Sequence, residues 1–196
     1  MDKAGDPRLS VEGLPSFALD AGRPLGQRFA ALGLGDYRKA AAHVRGLPYG
    51  RNSDRSDWQL VLEEGRGTCS TKHALLAELA RENGRPVSLM LGVYEMDGEN
   101  TPGVGPALGE HGLRCVPEAH CYLMHGGVRV DVTRESEKST AQEKRFLHEQ
   151  EIEPDQIGGY KVEAHRGFVR RWAESHGLDP ERVWRAREEC IAALAE

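Results

Sequence analysis

EAHCYLMHGGVRVDVT, residues 118–133, alternates strand-favouring residues on both sides of a Gly126-Gly127 pair. Two glycines between such runs predict a β-hairpin with a two-residue turn, because tight hairpin turns need positive φ at their central positions. If the glycines are those two positions, His125 faces Val128 and directly opposed residues have numbers that sum to 253. Tyr122 then opposes Asp131, and opposed residues share a sheet face. His120 lies two residues from Tyr122 and shares its face, since strand side chains alternate. His120 and Asp131 are therefore expected as diagonal neighbours, roughly 5.5–8 Å apart at Cβ. A one-residue bulge at the glycines would send Asp131 to the opposite face.

Upstream, Pro86 to Tyr94 is an apolar run of strand length, and residues 95–114 hold too many glycines for a regular element. That long excursion is expected to be functional, with Asn100 and Thr101 open to facing a substrate. Thr68 to Asn83 predicts a helix with Leu75, Leu76, Leu79 and Ala80 inward, stopped by Gly84 and Pro86. Helices are also expected over 36–45 and, from a Ser56/Gln59 capping box, over 56–64. In the tail, 161–176 and a helix opened by Asp179-Pro180 have inward apolar stripes. His165 is expected as a satisfied core histidine and Cys190 as packing. The order of elements predicts an α+β fold: a Cys-bearing helix packed on an antiparallel β-sheet, with further helices at both ends. The chain reads as one domain, 1–196, with a loosely packed arm over 1–23, a catalytic core over 57–135 and C-terminal helices over 155–196.

At 196 residues and 39% hydrophobic content, with 23 glycines besides, a real core is possible and extensive disorder is not expected. The net charge of −5 argues against nucleic acid as the main partner, since phosphate contacts need clustered positive charge. No window is apolar enough to cross a membrane, and the first residues show no basic segment followed by an apolar one. A cytoplasmic protein is expected, with its four cysteines free rather than disulfide-bonded.

Cys69 follows Gly65-Arg66-Gly67-Thr68 and opens the long helix. A helix start suits a nucleophilic thiol, because its free N–H groups and positive end favour the thiolate and can hold an oxyanion. His120 is the expected base and Asp131 its orienting carboxylate. His73, one turn beyond Cys69, is a weaker candidate base with no carboxylate spaced to orient it. Asn52 and Gln59 are candidate oxyanion donors, and Glu118 could tune the base from its own strand face. The histidines and cysteines at 111, 115, 120, 121 and 125 suggest zinc, but neighbouring strand residues point oppositely and no standard spacing is present. No metal and no cofactor are expected.

Gly67-Thr68-Cys69-Ser70 heading a helix, His120 in a strand and Asp131-Val132-Thr133 ending the next resemble the core of the transglutaminase-like superfamily. That superfamily includes cysteine peptidases, peptide N-glycanases and transglutaminases with a papain-like Cys-His-Asp arrangement. The resemblance covers about residues 60–135. It implies Cys69 as nucleophile, His120 as base and Asp131 as orienter. Tyr122 stands where the family often has Trp, in a supporting position, and Val132 where it often has Pro. No calcium requirement is carried over. The expected activity is that of a cysteine hydrolase or acyltransferase: attack on an amide or acyl bond of a peptide, protein or small substrate through an acyl-enzyme. The alternatives are acyl transfer resembling arylamine N-acetyltransferases, and an inactive fold of this type used for protein binding.

Overall fold

The computed structural model of the chain describes residues 11–134 and 145–194. Among these, seven α-helices surround a four-stranded antiparallel sheet, an α+β architecture. The helices are α1 (Pro24–Ala31), α2 (Tyr37–Gly46), α3 (Leu60–Glu64), α4 (Cys69–Glu82), α5 (Gly105–Glu110), α6 (Gly159–Ser175) and α7 (Pro180–Ala193). The strands are β1 (Ser88–Asp97), β2 (Cys115–His125), β3 (Val128–Val130) and β4 (Phe146–Ile152), ordered β3-β2-β1-β4.

The hairpin has the register its glycines predict. Leu123 pairs with Val130, Met124 with Arg129 and His125 with Val128. Gly126 and Gly127 both have positive φ, 56° and 79°, as a twisted two-residue turn requires. β3 ends at Val130, so Asp131 follows directly on the strand that returns beside His120.

α4 carries the larger core. Leu75, Leu76 and Leu79 are fully buried with Leu89, Leu91, Cys121, Leu123 and Val130 of the sheet and with Phe29 and Tyr37 of α1 and α2. A second apolar cluster joins the far ends of β1 and β2 to α5, α6 and α7 through Met96, Val116, Leu108, Val169 and Val183. Every buried CH₂ is worth about 0.8 kcal/mol, so these two clusters hold the helices in place on the sheet.

Several expectations need correction. Part of the expected loose arm is docked: Leu14 and Phe17 are buried, and the Phe17 ring stacks on Tyr37 at 4.7 Å. Residues 1–10 lie outside the described residues. α3 starts at Leu60 rather than near Ser56, because Asp54 accepts from the Ser56 N–H and hydroxyl and turns the chain there. The excursion after Tyr94 is largely ordered: β1 runs on to Asp97 and α5 occupies 105–110 against α7. Asn100 is committed locally, donating to the Glu95 carbonyl and accepting from the Asp97 N–H. Two elements have no signal in the residue pattern. β4 is a sheet edge in which only Ile152 is fully buried, so no alternation marks it. α1 has no local cap; the Glu82 carboxylate at the end of α4 accepts from the Leu25 and Gly26 N–H groups instead.

Candidate active site

Thr68 is the N-cap of α4, and its side chain forms a reciprocal pair with Thr71. Cys69 is thus the first helical residue. Among the described residues the Cys69 and Ser70 N–H groups donate to nothing else. The preceding glycine has a tight packing role: a Cβ at Gly67 would lie 2.9 Å from the Thr71 hydroxyl and 3.0 Å from Lys72 Cγ and Val61. Its close approach folds the Tyr49 loop alongside, with Gly67 donating to the Pro48 carbonyl and accepting from Gly50.

The structure brings Cys69, His120 and Asp131 together. His120 Nε2 donates to Asp131 Oδ2 at 2.7 Å, and the His120 ring lies close enough to the Cys69 sulfur for their charges to act on each other. With Nε2 taken by the carboxylate, Nδ1 is the nitrogen left for sulfur. Asp131 Oδ1 accepts from the Thr133 N–H at 2.8 Å. Burial disfavours the imidazolium, but the Asp131 charge and the thiolate outweigh it and push His120 up to about 9. Burial likewise opposes the thiolate, yet the Lys161 ammonium and His120 pull Cys69 down to about 6. Asp131 is held far below the usual carboxylate range, its burial overcome by His120. Near neutral pH the pair is therefore a thiolate facing an imidazolium.

His73 does not compete. Its Nδ1–H donates to the Cys69 carbonyl at 2.6 Å and its Nε2 accepts from the Val132 N–H at 2.8 Å, so these two partners fix the neutral tautomer. Both ring nitrogens are occupied by backbone, and burial brings its pKa down to about 4. It lies 3.5 Å from Asp131 Oδ1 as a neutral ring. Beside it the buried Lys72 donates to the carbonyls of Leu47 at 2.6 Å, Thr133 at 2.9 Å and Arg45 at 3.4 Å. Lys72 and His73 together tie the segment after β3 to α4 and hold Asp131 in front of His120.

The supporting candidates divide. Glu118 is at the site: it borders a cleft of about 400 Å³ in front of Cys69 and receives a bidentate pair from Arg187 at 2.6 and 2.8 Å. Its burial is outweighed by Arg187, which keeps it ionised. Asn52 lies elsewhere. It is buried, donates both amide hydrogens to the Glu64 carboxylate and Arg66 carbonyl, and accepts from Thr71, so it braces the loop rather than facing the thiol. Gln59 is exposed just before α3, away from the cleft lining. Tyr122 is buried in a ring stack with Phe146 at 5.1 Å, and its hydroxyl donates to Glu149. The residues of the expected zinc cluster disperse: His111 pairs with Glu189, His125 Nδ1 donates to the Pro86 carbonyl, and Cys121 is in the core. Among the described residues no group of three such side chains converges.

Sequence reasoning missed Lys161. The start of α6 sets its ammonium 2.6 Å from the Ser70 hydroxyl, beside Cys69. Burial opposes its charge, and the Cys121 and Cys69 thiols with Glu118 restore it. Arg187 and Trp184 of α7 also border the cleft. No local motif marks any of these three, since each arrives from an element far along the chain. The Cys121 thiol, one residue from His120, is pushed up by burial to about 11.

No family model, curated protein or solved structure matches the chain.

Proposed function

We propose that the chain is a transglutaminase-like thiol enzyme that cleaves or transfers an acyl group at an amide or ester carbonyl. The observation that carries this reading is the His120–Asp131 hydrogen bond beside Cys69, whose thiol is pulled down to about 6 at a helix start that opens on a cleft. In this mechanism the Cys69 thiolate attacks the carbonyl carbon, and a C–S bond forms as charge moves to oxygen. The Cys69 and Ser70 N–H groups are positioned to accept that charge at the positive end of α4. As the C–N or C–O bond breaks, the leaving group takes the proton from the His120 imidazolium. Water or an amine then attacks the thioester, giving its proton to His120 and releasing the thiolate. Asp131 keeps the imidazole oriented in both halves.

The test is acyl-enzyme trapping with p-nitrophenyl acetate, read by intact mass and peptide mapping. A single acetyl group on Cys69, absent from Cys69→Ala, is the expected result. Alkylation by iodoacetamide should rise with pH through about 6, following the lowered thiol. An unacylated Cys69 whose alkylation begins only near the ordinary thiol value of about 8.5 would overturn the reading.

A further inference from the structure

The chain as a whole is acidic, with a net charge of −5, but the cleft at Cys69 is not. Arg51, Arg55, Lys161, Arg166 and Arg187 all border it, against only the carboxylates of Glu118 and Glu188. Both carboxylates are held by the same Arg187. Lys161 is turned to the Ser70 hydroxyl. That leaves the exposed Arg51, Arg55 and Arg166, for which no carboxylate partner exists among the described residues.

These cations are set on a prepared frame. The Arg166 guanidinium lies over the Trp184 ring at 4.4 Å, which fixes its direction without neutralising it. The loop that carries Arg55 is pressed onto the start of α6: a Cβ on Gly158 would fall 2.6 Å from Ser56 Cβ. A second groove of about 750 Å³ continues the cleft and shares Arg55, Val162, Arg166 and Trp184 with it. Along that groove Arg170 and Arg171 add charge, opposed by Glu163 and Glu181, over a floor that includes Val93 and Phe168.

We propose that the cleft and its continuing groove select an acidic polypeptide segment as the acyl donor, with side-chain carboxylates beside the reacting carbonyl held by Arg51, Arg55 and Arg166. The inference rests on the thiol-enzyme reading and names its substrate class. Low-dielectric walls focus the field of such cations, so an anionic chain is drawn in faster and held longer than a neutral one. A polypeptide is favoured over other polyanions because the groove leads to an acyl-attacking thiol and its floor is apolar between the charges. Acidic side chains meet the arginines while intervening apolar ones cover Val93 and Phe168.

The experiment uses the full chain carrying Cys69→Ala, so that binding is read without turnover. The probes are a short fluorescent peptide with glutamates around one glutamine, the same peptide with serines or lysines in place of the glutamates, and a single-stranded oligonucleotide of equal charge. The acidic peptide should bind about tenfold or more tighter than the serine peptide, and added salt should erase the difference. Arg55→Glu and Arg166→Glu should each reduce that binding about tenfold, whereas Arg23→Glu, an equal charge change on the exposed start of α1, should leave it unchanged. Equal binding of acidic and serine peptides, a preference for lysines, or equal binding of the oligonucleotide would overturn the proposal. Alkylation of Cys69 in the wild-type chain separates the two failures. A fast, low-pH thiol without acidic preference sinks only the substrate class, whereas acidic binding beside an ordinary thiol sinks the enzyme.

Discussion

His73 and His120 flank one carboxylate and are tuned in opposite directions. On the inner side His73 approaches Asp131 Oδ1, fully buried, with both nitrogens engaged by backbone and a pKa near 4. On the other side His120 bonds Oδ2, lies beside the Cys69 sulfur and titrates near 9. Proximity to an acid is therefore not what makes a base. What decides is whether a ring nitrogen is left free of the backbone, and whether a developing charge lies within its reach. His73 and Lys72 form a neutral-plus-cationic scaffold that orders the chain after β3. In the proposed mechanism His120 is the group that exchanges a proton.

The largest effect should separate these two histidines kinetically. His120→Ala is expected to lower acylation of Cys69 about 10²–10⁴-fold and to move the onset of alkylation upward from pH 6 toward the ordinary thiol value. His73→Asn should leave that onset near 6. If both substitutions moved it equally, the contrast would be broken and His73 would belong to the catalytic pair.

Next in size is the scaffold itself. Lys72→Met keeps the aliphatic stem but strips three backbone carbonyls of their donor. A loss of about 3 kcal/mol is expected, roughly 6–12 °C in Tm, read by thermal melting. A near-normal melt would mean that water satisfies those carbonyls and that Lys72 does not hold Asp131.

A smaller, pH-dependent effect tests the same division. Folded His73 binds its proton near pH 4, an unfolded histidine near 6.5, so the unfolded state holds more protons in between. Stability should therefore fall as pH drops from about 6.5 to 4, by a few kcal/mol at most, and His73→Asn should flatten that slope. Asp131, whose folded pKa is depressed, contributes stability present above about 3.9 and lost only at more acid pH. His120 is raised, so its contribution is full below about 6.5 and is lost as pH rises through about 9. Cys69 is depressed, so its contribution is present above about 8.5 and is lost as pH falls through about 6. The two largely offset between those limits, which leaves the acid side as the clean measurement.

The smallest effect concerns the turn that brings Asp131 to His120. Gly127→Ala places a side chain at φ 79° and should cost about 1 kcal/mol with the register intact. A collapse of acylation in this variant would show that the turn alone sets the geometry; a mild loss would show that Lys72 and His73 keep Asp131 in place.

Much of this site was legible along the chain because its parts obey local periodicities. Cys69 heads a helix because Thr68 caps and Gly67 tolerates close packing, and both are visible in five residues. His120 and Asp131 meet because a two-glycine turn forces opposed numbers to sum to 253 and strands alternate with period two. Asn52 was less legible. An amide before a nucleophile resembles an oxyanion donor in sequence, and only its three partners reveal a brace.

What the sequence determined by itself, then, is the Cys-headed helix, the hairpin register and the α+β plan, all consequences of neighbouring residues and short turns. The tertiary structure alone decided three further things. It capped α1 with a carboxylate from α4, carried Lys161, Trp184 and Arg187 to the cleft from the tail, and tied both His73 nitrogens to backbone while pairing His120 with Asp131. Those outcomes depend on which distant groups meet in the same small volume. Charges and hydrogen bonds act through space at a few ångströms, and the separation of residues along the chain does not record that distance.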